Sequence, residues 1–427
     1  MEQPMLRRDI QLVPTTYQGR RVIVCIDPLK LAEGDIALDA GMYRILAMLD
    51  GRHGLRDLQA AIGGMGGTTV SLEEVESLLL RLDEYYILDS ERFRCKKRHL
   101  VDAFLSEPDR HPAFAGKAYS ADADELGAHI ADLERRLPPL DEPQNSPGAH
   151  GEITGLMAPH IDTGIAGGVY VDLYRRIKNK RYDRVIVLGI NHQEQDCLYS
   201  ISGKNFITPF GSIPPDTDFI TALTEDLPPG VTASDDFGHK IEHSIEFQTI
   251  YLRHYLGPAF SLVPVLCGSI HSFIAERRPL LEDRRFLALY ERMNHLLNSD
   301  EKSTLIVAAV DLSHVGLKFG HLEAGSVMLK SALEKDKELL SFIARGDAEG
   351  IYRHACNSED YFNVCGLPAI ILFTLLMRNH RGRVLAHETY REEATQSAVT
   401  YAAMVFETNP EAHRRVEGKR AAERADS

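Results

Sequence analysis

Residues 153–164 read ITGLMAPHIDTG, a strand-length apolar run that stops at Pro159 and delivers His160 and Asp162 at its exit. The pattern returns in RVIVLGI (184–190), which runs into Asn191, His192 and Gln193, and in TLIVAAVDLS (304–313), which delivers Asp311 just before His314. FSLVPVLCG (260–268) and VTYAAMVF (399–406) are two further apolar runs of strand length. Helix-patterned stretches separate several of these runs, and such alternation predicts an α/β domain with a largely covered sheet. In sheets of this kind ligands sit beyond the carboxyl ends of the strands, so the residues just after each run carry the functional reading.

Composition sets the frame around that domain. The chain has 427 residues, 44% hydrophobic and 26% charged, with 32 Gly and 20 Pro spread widely, which excludes a collagen-like, coiled-coil or largely disordered protein. Its 48 Lys and Arg against 62 Asp and Glu leave a net charge of −14, so nucleic-acid binding is disfavoured outside a local basic face. No window approaches eighteen uninterrupted apolar residues, and the start MEQPMLRRDIQLVP lacks a signal-peptide core. A cytoplasmic setting without membrane contact is expected. The six cysteines form no CxxC pair, and each is read first as a buried, reduced thiol.

Three regions follow: 1–105, 106–408 and a charged tail, 409–427, expected to be disordered. In the first, Leu46, Leu49, Leu55, Leu58 and Ile62 recur at near-helical spacing, and a Gly-rich turn is expected at 63–67. Ser71 and Glu74 have the spacing of a capping box ahead of an apolar stripe of Val75, Leu78, Leu79 and Leu82. YYILDS followed by ERFRC is read as a short hairpin, which gives a winged-helix-like α+β module. Through DGRHGLRDL and VSLEEVESLLLRLDEYYIL it resembles the small peptide-binding winged-helix type found beside radical-SAM maturases. In the second region an amphipathic helix is expected from near Ala123, with a Pro-rich linker from Pro138 to Pro147.

At the strand exits, His160 and His192 can converge on one ion, because a neutral imidazole ligates metals without charge compensation. Asp311 stands three residues before His314 and can orient it, hold a hydrogen bond behind the site or act with it in proton transfer; capping the next helix is the bland alternative. In GHKIEHSIEFQTIYL, Glu242 precedes His243, and His243 and Glu246 share a helix face, as a metal pair or as an anchored polar network. Cys365 lies just before Gly366 and a strongly apolar helix, a position that biases a thiol toward thiolate.

In order, HPAFAGKAY, MAPHIDTG, VLGINHQ, EHSIEFQTIYL, VPVLCG, AVDLSHVG, NVCGLPAI and VTYAAM resemble the Memo family, the protein B component of the AmmeMemoRadiSam group, over residues 110 to 406. The resemblance implies a fold like that of class III extradiol dioxygenases, a sheet flanked by helices. It assigns metal ligation to His160, His192 and Cys365, with Asp311 and His314 lining the pocket and His243 in the pocket or just behind it; as a redox enzyme the chain would use His314, oriented by Asp311, as its catalytic acid/base. In the dioxygenases a carboxylate takes the place of Cys365, and the softer thiolate points to iron or copper and puts ring cleavage in doubt. At Ile161-Asp162-Thr163 this chain departs from the family pattern, so Asp162 either adds an oxygen ligand or caps the next helix.

Three functions follow as expectations. One is a metal-dependent redox enzyme with iron or copper at His160, His192 and Cys365. Another is a non-catalytic adaptor that binds a peptide or protein in the same pocket. The third, implied by the group name, is a place in a modification system with radical-SAM and AMMECR1-like partner proteins. Cys267, inside an apolar run, is expected to be structural.

Overall fold

The structure, a computed structural model, describes residues 3–32, 34, 36–66, 70–140, 151–192 and 197–408; the 409–427 tail and most of the Pro-rich linker lie outside them. It divides into two units, Met1–Glu107 with Gly316–Ala324 and Glu392–Ser397, and Pro108–Val315 with Gly325–Arg391 and Ala398–Ser427.

In the first unit, strands β1 (Gln11–Tyr17), β2 (Arg20–Ile26) and β3 (Ile36–Asp39) form an antiparallel sheet. Gln18 and Gly19, both at positive φ, make the two-residue turn whose twist suits a hairpin. Helices α1 (Tyr43–Met48), α2 (Leu55–Gly66), α3 (Leu72–Glu84) and α4 (Glu91–Ser106) follow. Leu46, Leu49, Leu58, Val75, Leu79 and Leu82 close their core with Cys25 of β2. The capping box at Ser71 and Glu74 is formed in both directions. Two expectations are corrected. The helix α2 continues through Gly66, past the turn placed at Gly63. ERFRC opens α4 instead of forming a hairpin strand, because Ser90 accepts from the Phe93 N–H and starts a helix that buries Phe93 and Phe104.

The second unit holds a small sheet of β4 (Asp109–Arg110), β8 (Asn205–Thr208) and β9 (Gly211–Ile213) and a large mixed one. The large sheet contains β5 (Ile153–Ala158), β6 (Arg184–Ile190), β7 (Tyr199–Ile201), β10 (Ser261–Cys267), β11 (Thr304–Ala309), β12 (His314–Gly316), β13 (His380–Glu392) and β14 (Ser397–Thr408). Its order is β12-β14-β5-β11-β6-β10-β7, with β13 against β14. The four central strands β5, β11, β6 and β10 run parallel, while β14 and β7 flank them antiparallel.

Both faces of the parallel core are covered, as the uninterrupted apolar runs require. Side chains alternate along each strand. Ile186, Leu188, Ile306, Ala308, Val263 and Val265 pack on one side with α7 (Thr217–Thr224), α9 (His271–Ala275), α10 (Arg284–Ser299), α11 (Gly325–Ala344), α12 (Ala348–Asn357) and α13 (Leu367–Leu376). Val185, Val187, Leu305, Val307, Leu156 and Ala158 pack on the other with α5 (Ala123–Arg136), α6 (Thr163–Tyr174) and α8 (His243–Leu256). The helix expected near Ala123 is α5, capped by Asp122. Among the described residues no helix is long and apolar enough to cross a membrane. Because β11 is inserted between β5 and β6, the carboxyl ends of three adjacent parallel strands open side by side.

Candidate metal centre

His160 follows β5 by two residues, His192 follows β6 by two, and Asp311 follows β11 by two, so the topology alone sets these three side by side. The Asp311 carboxylate accepts from the His160 backbone N–H at 2.9 Å and from the Ile161 N–H at 3.3 Å, tying the β5 exit to the β11 exit. The Nδ1 of His160 lies 2.9 Å from the Ala309 carbonyl. A carbonyl only accepts, so Nδ1 carries the proton and Nε2 keeps its lone pair. Cys365 Sγ sits 3.4 Å from that Nε2.

The second imidazole is aimed by a residue outside the predicted set. Glu242, buried at 2% exposure, accepts from His192 Nδ1 at 3.0 Å, from the His192 N–H at 3.1 Å, from His243 Nδ1 at 3.2 Å and from the Ser244 N–H at 3.0 Å. One carboxylate thus fixes two rings and caps α8. The rings of His160, His192 and His243 stand 5.0 to 5.2 Å apart, centroid to centroid. Gly189 makes this docking feasible: a Cβ there would lie 2.5 Å from Ser244 Oγ and 2.7 Å from Ile245 Cγ1. Ser244 Oγ in turn accepts from the Ile190 N–H at 3.1 Å. Gly189→Ala is therefore expected to destabilise the fold by about 1–3 kcal/mol through overpacking, measured by thermal or denaturant unfolding.

Charge in the cluster is governed by burial and by these pairings. Burial, helped by His192 and His243 and opposed by Asp311, brings His160 down to about 4, so it is neutral at pH 7. Burial works against a charged His192, but the Glu242 carboxylate outweighs it and raises its pKa. Glu242 falls well below the usual carboxylate range, since the two histidines overcome its burial. Burial and then the charge of Asp311 push the Cys365 thiol well up. This favours the thiol, the first reading of each cysteine, over the thiolate bias of a helix start; α13 begins only at Leu367, and the sulfur faces the lone pair of His160.

The structure thus gathers His160, His192, Cys365, His243 and Asp311, with ligand atoms of the first three all within 4.8 Å of one another. Metal bonds of about 2.0 Å to nitrogen and 2.3 Å to sulfur put those atoms roughly 3.5 Å apart at a tetrahedral angle, close to the separation of Nε2 and Sγ, so the donor set fits an ion. His192, Glu242 and His243 form a second close group, but its atoms are paired as donors and acceptors and hold the rings.

Three predicted residues stand differently. Exposed Asp162 caps α6, accepting from the Gly164 N–H at 2.7 Å. Glu246, one turn into α8, pairs with buried Arg110 and accepts from the N–H groups of Ala113 and Phe114 and from the Tyr119 hydroxyl. Its lone pairs are spent on anchoring the HPAFAGKAY segment, whose Phe114 packs edge-on to His243. His314 Nδ1 faces the Leu312 carbonyl at 3.0 Å, while the Asp311 carboxylate is directed at His160. The signal for Glu242 was its place directly before His243; the signal for Arg110 was a lone arginine opening HPAF.

Comparison with known proteins adds a family. A family model described as Memo-like protein matches residues 110–405. A protein of Aquifex aeolicus described as a MEMO1 family protein is 28% identical over 383 residues, 89% of this chain and 94% of its own length. A Methanopyrus kandleri protein of the same description is 28% identical over 307 residues, 70% of this chain and 99% of its own length. One from Thermus thermophilus is 26% identical over 353 residues, 82% of this chain and 98% of its own length.

Proposed function

Given that the chain belongs to the Memo family, we propose that His160, His192 and Cys365 hold a single iron or copper ion and that the pocket is a non-haem redox centre. The observation that carries the reading is the locking of the non-ligating nitrogens. His160 Nδ1 is held by the Ala309 carbonyl and His192 Nδ1 by Glu242, so both Nε2 atoms are left for an ion beside Cys365 Sγ.

Iron or copper would supply one-electron chemistry that no side chain here has. The protein's own part is positional and protonic. Asp311 fixes the loop that carries His160, and Glu242 fixes His192 and His243 together. His243, with Nδ1 on Glu242, keeps Nε2 to take or give a proton to a bound ligand. Phe114 and Phe247 pack against one side of the His243 ring, which stays partly exposed on the other. The Cys365 proton must leave when an ion enters, so retention is expected to weaken as pH falls, with protons released on loading.

The test is anaerobic loading of the full chain with ferrous or cuprous ion, followed by exhaustive dialysis and metal analysis. About one ion per chain is expected. A sulfur-to-metal absorption band after oxidation should vanish in Cys365→Ser and persist in Cys267→Ser, since Cys267 ends β10 inside the core. No stoichiometric metal in the wild type, or equal loss in both variants, would sink the reading.

A further inference from the structure

We infer that the turn at residues 358–364 is a bracket that sets the position of the Cys365 sulfur, with Asp360 and Asn363 as its positioning residues. The functional weight of the inference rests on the metal reading; its geometry does not.

Three residues of this turn, Glu359, Asp360 and Asn363, take φ of 51°, 48° and 49°. None is glycine; Asp and Asn adopt this region more readily than other residues, and surrounding bonds hold the turn in it. Those bonds are present. The Asp360 N–H donates to the Ala355 carbonyl at 2.9 Å, the Tyr361 N–H to Ser358 at 2.8 Å and the Asn363 N–H to Asp360 at 2.8 Å. The Asp360 side chain then reaches forward, and its Oδ1 accepts from the Val364 N–H at 3.0 Å. That N–H belongs to the residue directly before Cys365.

The bracket is also fastened to the other site loop. The Phe362 carbonyl accepts from the His314 N–H at 2.7 Å, and Asn363 Nδ2 donates to the His314 carbonyl at 3.4 Å. On the far side of the sulfur, Gly366 lies so close to the β11 exit that a Cβ would meet Val310 Cβ at 2.7 Å and the Asp311 carbonyl at 2.8 Å. Val364 is only partly buried against the core. It borders a cavity of about 10 Å³, the space of one water, shared with Ser313, Asp336, His354, Asp360 and Phe362. Burial also pushes the Asp360 carboxyl up to about 6, an opposing cost that its bond to Val364 offsets only in part.

The experiment reads the sulfur in metal-free, full-length protein. Alkylation by iodoacetamide is followed by peptide mass spectrometry at Cys365, with buried Cys267 as internal reference. Asp360→Ala is expected to speed Cys365 alkylation about tenfold, the weight of one hydrogen bond, while Cys267 is unchanged. Asp360→Asn retains an acceptor oxygen for the Val364 N–H and should restore the slow rate. In copper-loaded protein the sulfur-to-copper band should shift in Asp360→Ala and not in Asp360→Asn. Asn363→Gly keeps the left-handed backbone and the Phe362 bond but loses the side-chain tie to the His314 carbonyl, so it should accelerate alkylation and decides the matter if Asp360→Ala does not fold. An unchanged Cys365 rate in these variants, or equal effects of Asn and Ala at 360, overturns the bracket. If the wild type takes no metal, the redox-centre reading fails while the alkylation result still judges the bracket.

Discussion

Replacing Glu242 by Ala is expected to lower metal affinity about 10- to 100-fold, the range found when the group that orients a metal-ligating histidine is removed. The effect should sit at the high end because one carboxylate serves two rings and the helix cap. Without it, His192 keeps its place after β6 but loses the partner that fixes Nδ1 as the protonated nitrogen, and its ring can turn Nε2 away from Cys365. Glu242→Gln is a sharper probe. An amide oxygen in the place of Oε1 can still accept from both Nδ1–H groups, but the amide nitrogen in the place of Oε2 then faces the His192 backbone N–H, donor against donor, and the charge that favours both rings is lost. Anaerobic titration calorimetry measures the loss. Thermal unfolding of the metal-free variants separates it from general damage, and unchanged affinity in both variants would refute the role of Glu242.

Arg110→Met is expected to cost about 3–5 kcal/mol of stability, because it leaves the Glu246 carboxylate buried without its counter-charge. Arg110 also donates to the carbonyls of His239 and Glu242, each at 2.9 Å, so the loss reaches the start of α8. In a unit of this size the melting temperature should fall by on the order of ten degrees. The double variant Arg110→Met with Glu246→Gln removes the stranded charge, and its loss should be smaller than the sum of the two single losses. A strictly additive double variant would show that the pair is not coupled.

The residues gathered at the candidate site were legible as positions because strand exits in a parallel sheet are local features: an apolar run, a break and a histidine or acid. The partners of those residues were not. Asp311 precedes His314 in sequence, yet its carboxylate is directed at His160, which only the adjacency of β11 and β5 explains. Glu246 shares a face with His243, but Arg110, which pairs with it, lies 136 residues away. In the first unit the hairpin expectation stopped at Cys95, before Leu100 and Phe104 complete the helical period begun by Phe93. Gly63 and Gly64 were read as a turn, whereas the helix of Leu55–Gly66 passes through them.

The acids around position 365 explain why sulfur suits that place. Asp311, Asp360 and Glu242 each disfavour a further negative charge there. A thiol meets this field by remaining uncharged until a cation arrives, whereas an acid side chain at the same point, ionised at neutral pH in its ordinary state, would repel its neighbours whenever the pocket stood vacant. Sulfur therefore lets one cavity be calm when empty and offer an anionic ligand when a cation enters.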